Sequence, residues 1–578
     1  MTGSRRWPLV GAEPVALLAG SGAGVGAELA LSVDVGGLEQ TTGTWTTWRP
    51  DSGETTTDER PTDQDLHPGD QDGSQESQDG DRELSDPTPS WATRLRRSLS
   101  RPTTLVVFGS MVVGTAIRSD VPRGLWVDEA ISVSEARLSY GAMIHQLAIA
   151  DVHPPLYFTI LWASARIFGF GDDAVRVPSI VFGVLLIPLI YLLGKEAYDR
   201  RTGAVAAVIV SVAPYAVWYS QEARMYAMLM VFGVVALWAQ LRIFHRGGWY
   251  PWIVYTVASI AMMCTQYFGI WQLLTQQLIF VGVIVVRWRR HQRPGVLLWP
   301  WLCSAVLIFV SLIPLALMMK EQFRSAQATG QAFAGSVNTI GTTHLNIYTV
   351  LSNLAYSTIG FHSTAVMGYA IALWPLGVLG ALVLLGRRSR PVTYLMLAVV
   401  VVPVLAMFVL SEYKESLVDV RYISTTVPVV LLIIARVVTS LATSKRTLTV
   451  VVVAAVAVMS VSLFNQQFSS SNPRRYNFKE ALARVDAEAR PGDVILYDPL
   501  NVEMKPVVTY YSPKLRSAPL SAKPTVEAGH TVFIVTSAIL MDGSDRQTLE
   551  SALGSLGSRH RKPSAHWVFP NVQVWVYR

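Results

Sequence analysis

Apolar residues in this chain gather into runs of about 17–23, the length that spans a hydrocarbon core, and short basic stretches separate them. The basic stretches are RLRRSLSR (94–101), KEAYDRR (195–201), RIFHR (242–246), RWRRHQR (287–293), RRSR (387–390) and SKR (444–446). Lys and Arg concentrate in cytoplasmic loops. Placing all of these stretches on that side predicts spans at approximately 103–118, 178–194, 203–219, 224–243, 249–267, 270–286, 296–318, 366–386, 392–411, 422–442 and 448–465. That makes eleven, with the N-terminus cytoplasmic and the C-terminus outside. The count holds only if residues 154–170 (PPLYFTILWASARIFGF) do not cross, since a crossing there would turn KEAYDRR outward. The segment is read instead as a helix against or dipping into the outer leaflet, starting at Pro154-Pro155 with His153 at or near its cap. Segment 346–361 (NIYTVLSNLAYSTIGF) is read the same way.

The pattern changes at both ends. Between Asp51 and Asp86, thirteen acidic residues stand against two arginines, among Gly, Ser, Thr, Pro and Gln. Such a segment cannot bury enough apolar surface to offset its ordering entropy, so 1–100 is expected to be a disordered cytoplasmic tail. Residues 9–36 are too broken by Glu13, Pro14 and glycines to make a good signal peptide, and an over-extended gene start is a further reading of this head. Near the other end, NFKEALARVDAEA (477–489) has helical periodicity. VILYDP (494–499), TVFIVTS (531–537) and WVFPNVQVWVYR (567–578) are β-branched and aromatic, as strands are. Residues 466–578 are therefore expected to form a small extracytoplasmic α/β domain. The fold class is an α-helical polytopic membrane protein of about eleven transmembrane helices over 101–465, with a first outer loop at 119–177.

Composition agrees with that class. Only 15% of the residues are charged, against roughly 25% in soluble domains. Both cysteines, Cys264 and Cys303, fall inside apolar runs, so no disulfide framework is expected. The net charge of +7 is what positive-inside loops produce, and no nucleic-acid partner is inferred from it.

The topology gathers ionisable residues on the outer face. The first outer loop opens with GLWVDEAISVSEA (124–136), which holds Asp128 and Glu129, and runs through DVHPPLYF (151–158), with Asp151 and His153, to Arg176. WYSQEARMY (218–226) adds Gln221, Glu222, Arg224 and Tyr226; KEQFR (320–324) adds Lys320 and Arg324. SEYKESLVDVRY (411–422) adds Lys414, Asp419, Arg421 and Tyr422. Each piece has a plainer reading: an acidic pair on a solvated loop, a histidine capping an interfacial helix, arginines that snorkel or anchor in an aromatic belt. Together they suit an anionic, lipid-anchored substrate. Asp128, Asp151 and His153 could also supply metal ligands, but no tight spacing such as HExxH occurs. The expectation is no obligatory metal, with a divalent ion as the alternative.

The order of these motifs is more specific than any one of them. An Asp-Glu pair just past the first span is followed by HPPLYF and by RVPS at the next span. With WYSQEARMYA, and with Arg421-Tyr422 followed by Pro428, this resembles the protein O-mannosyltransferase and lipid A aminoarabinose transferase group. These are membrane glycosyltransferases of the GT-C class, family 39 and its relatives, and the match is to the bacterial branch over about 103–465. The resemblance implies membrane-surface helices in the first loop, a polyprenyl-phosphate sugar donor, and inverting transfer on the outer face of the plasma membrane. By the same resemblance Asp128 is the general base that takes the acceptor's proton. Glu129 would orient an acceptor or the site itself. Arg224 and Arg421, with Lys414 as a further candidate, would bind the phosphate through fixed positive charge. Asp151, His153, Glu222, Tyr226 and Tyr422 complete the expected substrate-binding set. The sugar implied is mannose or another hexose, arabinose-type sugars being the alternative, and the acceptor a glycan, a glycolipid or a protein. The acidic pair continues AISVSEA in place of the HFGK-like continuation of the eukaryotic O-mannosyltransferases, which weighs against a protein.

Two other classes compete. A transporter or flippase for a lipid-linked substrate would carry ionisable residues at mid-membrane, broken helices and internal repeats. Here the spans are mostly clean, with Gln266, Gln272, Gln276 and Gln277 the main polar exceptions. A scaffold binding polysaccharide or a partner through its external domain would leave the loop constellation without a task.

Overall fold

The computed structural model describes residues 102–293, 295–329, 356, 358, 360, 390–413, 420–470, 472, 475–497, 504–520, 529–537 and 563–578. The acidic head, the span expected at 366–386, Lys414, Asp419 and most of segment 346–361 lie outside them.

The first apolar run forms α1 (Pro102–Ser119). The segment that follows folds into α2 (Val127–Arg137), α3 (Tyr140–Ala150) and α4 (Pro155–Phe168). Pro155 takes the first position of α4, where a missing N–H costs nothing. Its N-cap is Pro154 rather than His153. A 3-10 turn at Ala174–Arg176 leads into α5 (Val177–Ala197), followed by α6 (Arg200–Val212), α7 (Pro214–Ser220), α8 (Tyr226–Arg246) and α9 (Tyr250–Thr265). Next come α10 (Ile270–Arg289), α11 (Gly295–Ser311), α12 (Ile313–Thr329), α13 (Arg390–Tyr413), α14 (Val427–Leu441) and α15 (Lys445–Phe468). Among the described residues five helices are long and apolar enough to cross a membrane, or six if α6 and α7 count as one bent span. Large apolar side chains cover outward surfaces, among them Phe108 on α1, Phe309 on α11 and Val461 on α15. Such surfaces suit lipid rather than water. This is a multi-pass membrane protein.

The run at 203–219, read from the sequence as one span, is bent by 58° between α6 and α7. Pro214 is the cause: it has no N–H for the Val210 carbonyl four residues back. Arg118 replaces that donor, giving bonds of 3.0 Å to the Val210 carbonyl, 2.8 Å to that of Ser211 and 3.1 Å to Ser220 Oγ. Arg118 is fully buried, and Gly183 leaves it the room. A Cβ at Gly183 would sit 1.9 Å from Ser220 Oγ and 3.1 Å from Arg118 Nε. Gly183→Ala is expected to destabilise the protein by about 1–3 kcal/mol, the usual cost of overpacking, read as a lower melting temperature in detergent. An unchanged melt would mean that this junction does not hold the bend.

At its far end α5 carries Glu196, which pairs with Arg242 (3.5 Å), His245 (3.2 Å) and Arg246 (3.4 Å) of α8. At 1.5 Å per residue that cluster lies about 30 Å from Arg176. The basic stretch around Glu196 and the residues leading to Arg176 thus occupy opposite ends of one helix.

The C-terminal residues form α16 (Phe478–Glu488), β1 (Val494–Tyr497), α17 (Met504–Tyr511), β2 (Arg516–Pro519), β3 (Val532–Ser537), β4 (Ala565–Phe569) and β5 (Val572–Tyr577). The sheet order is β2-β1-β3-β5-β4. β1 lies parallel to β2 and β3, and β5 runs antiparallel to β3 and β4. The β2 sequence, RSAP, has none of the β-branched or aromatic residues that mark a strand, and its pairing with β1 makes it one. Ile495, Tyr497, Phe533 and Val535 on one face of the sheet pack with α16 and α17, and Val127 and Ala130 of α2 enter the same core. Val133 and Ala136, further along α2, belong to the core of the membrane helices. One short helix therefore serves two cores.

Candidate active site

The start of α2 is set by its own sequence. Trp126 stands ahead of the helix in extended conformation, and Glu129 reaches back to accept its N–H at 3.3 Å. This capping arrangement puts Asp128 and Glu129 in the first turn, where the helix dipole favours negative charge. Neighbouring helical positions point about 100° apart, so the two carboxylates meet different surroundings.

Glu129 is sealed. Arg176 Nε and Nη2 donate to its two oxygens, both at 2.8 Å, and the Ala223 N–H adds a third bond at 2.8 Å. Arg176 also donates to the carbonyls of Arg123 and Gly124, at 2.9 Å each. Both side chains are fully buried, and a buried pair with its hydrogen bonds satisfied offers no place for a ligand. The expectation that Glu129 binds substrate is corrected: its carboxylate has no free face, and what it orients is the chain leading into α2.

Asp128 faces different surroundings and keeps 19% of its side chain exposed. Its Oδ2 accepts from Arg421 Nη1 at 3.0 Å and lies 3.9 Å from Arg224 Nη2. Its Oδ1 makes no hydrogen bond to the described residues. Arg421 comes from a 3-10 turn, Val420–Ile423, ahead of α14. Tyr422 beside it stacks on Phe268, with ring centroids 3.9 Å apart and 14° between planes.

Arg224 comes from the break between α7 and α8, and that break is tied down on all sides. Gln221 donates to the carbonyls of Ile117 and Asp120 at 2.9 Å each. Glu222 accepts from Trp218 Nε1 at 2.6 Å and is only 3% exposed, so it helps to hold the break. Ser179 Oγ donates to the Arg224 carbonyl at 3.0 Å. Tyr226 is buried against Tyr219, within electrostatic reach of Arg421, Arg224 and Asp128.

His153 joins this group through a fixed tautomer. Arg224 Nη2 lies 2.9 Å from His153 Nε2, and Asp151 Oδ1 bonds His153 Nδ1. A guanidinium can only donate, so Nε2 accepts and Nδ1 carries the proton toward Asp151. The ring serves to orient Arg224. Gln322 of α12 steadies the turn, donating to the carbonyls of Leu147 (2.8 Å) and His153 (3.2 Å) while its own oxygen accepts from Tyr267 (2.9 Å).

Two residues of this network escape a reading of the sequence. Gln322 lies inside the basic-looking string KEQFR and carries no charge to draw attention. Glu135 stands seven residues after Asp128, with Ser132 between them on the same helical face. Ser132 Oγ accepts from Arg224 at 3.1 Å and donates to the Asp128 carbonyl at 3.0 Å. Glu135 is buried beside Asp151. Burial, and then the Asp151 charge, push the Glu135 carboxyl well above the ordinary range, with Arg224 opposing. Burial works to raise Asp151 too, but His153, the bond from Glu135 and Arg224 overcome it and hold Asp151 well below its usual value. Of the two carboxyls, Glu135 holds a proton the more tightly. The i+7 spacing from Asp128 was the available signal for it.

The structure thus brings together Asp128, Arg224, Arg421, His153 and Asp151, with Tyr226 and Tyr422 alongside. Among the described residues no group of three or more His, Cys, Asp or Glu side chains is arranged to hold a metal ion.

Comparisons with known proteins point the same way. A family model described as dolichyl-phosphate-mannose-protein mannosyltransferase matches residues 152–317, which include His153, Arg176, Arg224 and Tyr226 but stop short of Asp128 and Arg421. YkcB of Bacillus subtilis (strain 168), named as a mannosyltransferase, is 29% identical over 94 residues, 16% of this chain. The match spans only 13% of that relative's length. The crystal structure of ArnT from Cupriavidus metallidurans bound to undecaprenyl phosphate has a TM-score of 0.50 at 13% identity, covering 82% of this chain and 97% of that one. The apo form of the same protein gives 0.49 at 12% identity, with coverage of 82% and 97%. At such identity the likeness is one of fold. The chain accordingly shares its fold with ArnT and, along 152–317, resembles the family described as dolichyl-phosphate-mannose-protein mannosyltransferase.

Proposed function

We propose that this protein transfers a sugar, mannose or another hexose, from a polyprenyl phosphate to an acceptor hydroxyl on the outer face of the membrane. The observation that carries the reading is Asp128: a partly exposed carboxylate held by one oxygen between two buried arginines. The acceptor oxygen attacks the anomeric carbon from the side opposite the phosphate. As that bond forms, the carbon–oxygen bond to the phosphate breaks and the hydroxyl proton passes to Asp128 Oδ1, so the configuration inverts. The departing polyprenyl phosphate gains a negative charge, and Arg224 and Arg421 stand ready to take it without reorganisation. His153, backed by Asp151 and Glu135, keeps Arg224 pointed at that position. Lys414 follows Tyr413, where the described part of α13 ends, and is proposed as a further cation for the phosphate.

Two fixed guanidinium groups support a reaction with no obligatory metal, so the rate in excess EDTA is expected to match that in magnesium or manganese. The deciding assay incubates purified protein in nanodiscs with a panel of polyprenyl-phosphate sugars and follows release of polyprenyl phosphate. Turnover of one donor supports the reading and names the sugar. Neither turnover nor binding of any donor would sink it and favour transport of a lipid-linked substrate.

A further inference from the structure

Asp172 anchors a cluster that the proposed chemistry does not use. Its Oδ1 accepts from Tyr510 OH at 2.9 Å, its Oδ2 accepts from Tyr511 OH at 3.1 Å, and Lys479 Nζ lies 3.0 Å from Oδ2. Asp172 belongs to the first outer loop. Its partners belong to α16 and α17, beside the C-terminal sheet. Burial first, and then the Asp172 charge, push both phenols well above their ordinary range, so they remain donors at any working pH.

The same partners grip the chain that carries Asp128. Tyr511 OH accepts the Leu125 N–H at 2.5 Å. Gly124 lies flat against them: a Cβ there would be 2.7 Å from Lys479 Cβ and 2.8 Å from Tyr511 OH. Trp126 stacks on Tyr476, with centroids 6.0 Å apart and 12° between planes. Val127 and Ala130 enter the core of the sheet and its helices. Residues 124–130 are thus held by Glu129 and Arg176 on one side and by the C-terminal α/β segment on the other. Neither grip touches the Asp128 side chain, yet the two together decide where its carboxylate stands.

We infer that the C-terminal α/β segment is a positioning device for Asp128, acting through the clamp of Asp172 with Tyr510, Tyr511 and Lys479. This rests on Asp128 being the base. A misplacement of about 1 Å can cost on the order of 100-fold in rate, so the clamp matters to turnover without touching substrate. It also gives the C-terminal segment a task that does not depend on which acceptor is used.

The test uses the full-length protein in nanodiscs with three variants: Tyr511→Phe, Asp172→Asn and Asp172→Glu. Hydrogen exchange across 120–130 reads the grip, and steady-state kinetics with the donor read its consequence. In Tyr511→Phe and Asp172→Asn we expect faster exchange at the Leu125 amide, a donor KM within about twofold, and kcat lowered by about 10- to 100-fold. Asp172→Glu should recover part of the rate because the charge is kept. Tyr511→Phe preserves the ring and its packing, so it guards against a loss that is merely unfolding. Faster exchange with kcat unchanged would overturn the inference, and so would exchange that does not respond. A wild-type protein that neither turns over nor binds any donor overturns the transfer reading and this inference with it. The exchange arm uses no donor, so a failure of the grip remains distinct from a failure of the chemistry.

Discussion

Asp128→Asn is expected to lower kcat by about 10²- to 10⁴-fold, the range that one positioned general base contributes. The variant should fold as the wild type does, because Asp128 is partly exposed and its partners Arg421 and Arg224 keep other bonds or a phosphate to meet. Donor binding should hold or tighten, since removing a carboxylate 3.0 Å from Arg421 takes away a competitor for the phosphate. A fall in kcat without a rise in donor Kd is therefore the expected signature, read by pre-steady-state turnover and by direct binding of a polyprenyl-phosphate sugar. Equal kcat in both proteins would remove Asp128 from the mechanism while leaving an enzyme. Weakened binding with kcat intact would make it a substrate ligand instead.

The adjacent residue should fail in a different way. Glu129→Gln leaves Arg176 buried without its counter-charge, and breaking a buried pair from one side typically costs about 3–5 kcal/mol. That is a large part of the stability of most domains, so the expected result is a sharply lower melting temperature and poor recovery from detergent. Replacing both partners together, with Glu129→Leu and Arg176→Met, should cost much less, because no charge is then stranded. Should Glu129→Gln melt like the wild type and change only the acceptor KM, the carboxylate would be a ligand group and the buried pair dispensable. Two neighbouring acids thus give two phenotypes, one in rate and one in stability.

Much of this architecture was legible because it is encoded locally. The apolar runs mark helices by their length, and Asp199, Ser444 and Asn477 sit as side-chain caps at the starts of α6, α15 and α16. The strands at Val494–Tyr497, Val532–Ser537 and Val572–Tyr577 follow from their β-branched and aromatic content. Less was legible where a neighbour far along the chain decides. The bend at Pro214 depends on Arg118 to receive the freed carbonyls. The strand at Arg516–Pro519 exists through its pairing with β1. The apolar run at 296–318 continues as helix to Thr329, which brings Gln322 to the His153 turn rather than leaving it in a loop.

The site divides along the same line. The sequence alone names the acidic pair, the histidine, and the arginines of the two later junctions, because charged residues hard against apolar runs stand out in one dimension. It cannot say which of two adjacent acids is buried and which stays partly exposed, since both lie in one helical turn and their difference is set by Arg176 on one side and Arg421 on the other. Nor can it reveal that the Glu135 carboxyl is pushed up, which follows from burial beside Asp151. Local periodicity fixes where helices run and which residue types they present. Burial and charge pairing depend on residues brought from distant parts of the chain, and only the tertiary structure decides those.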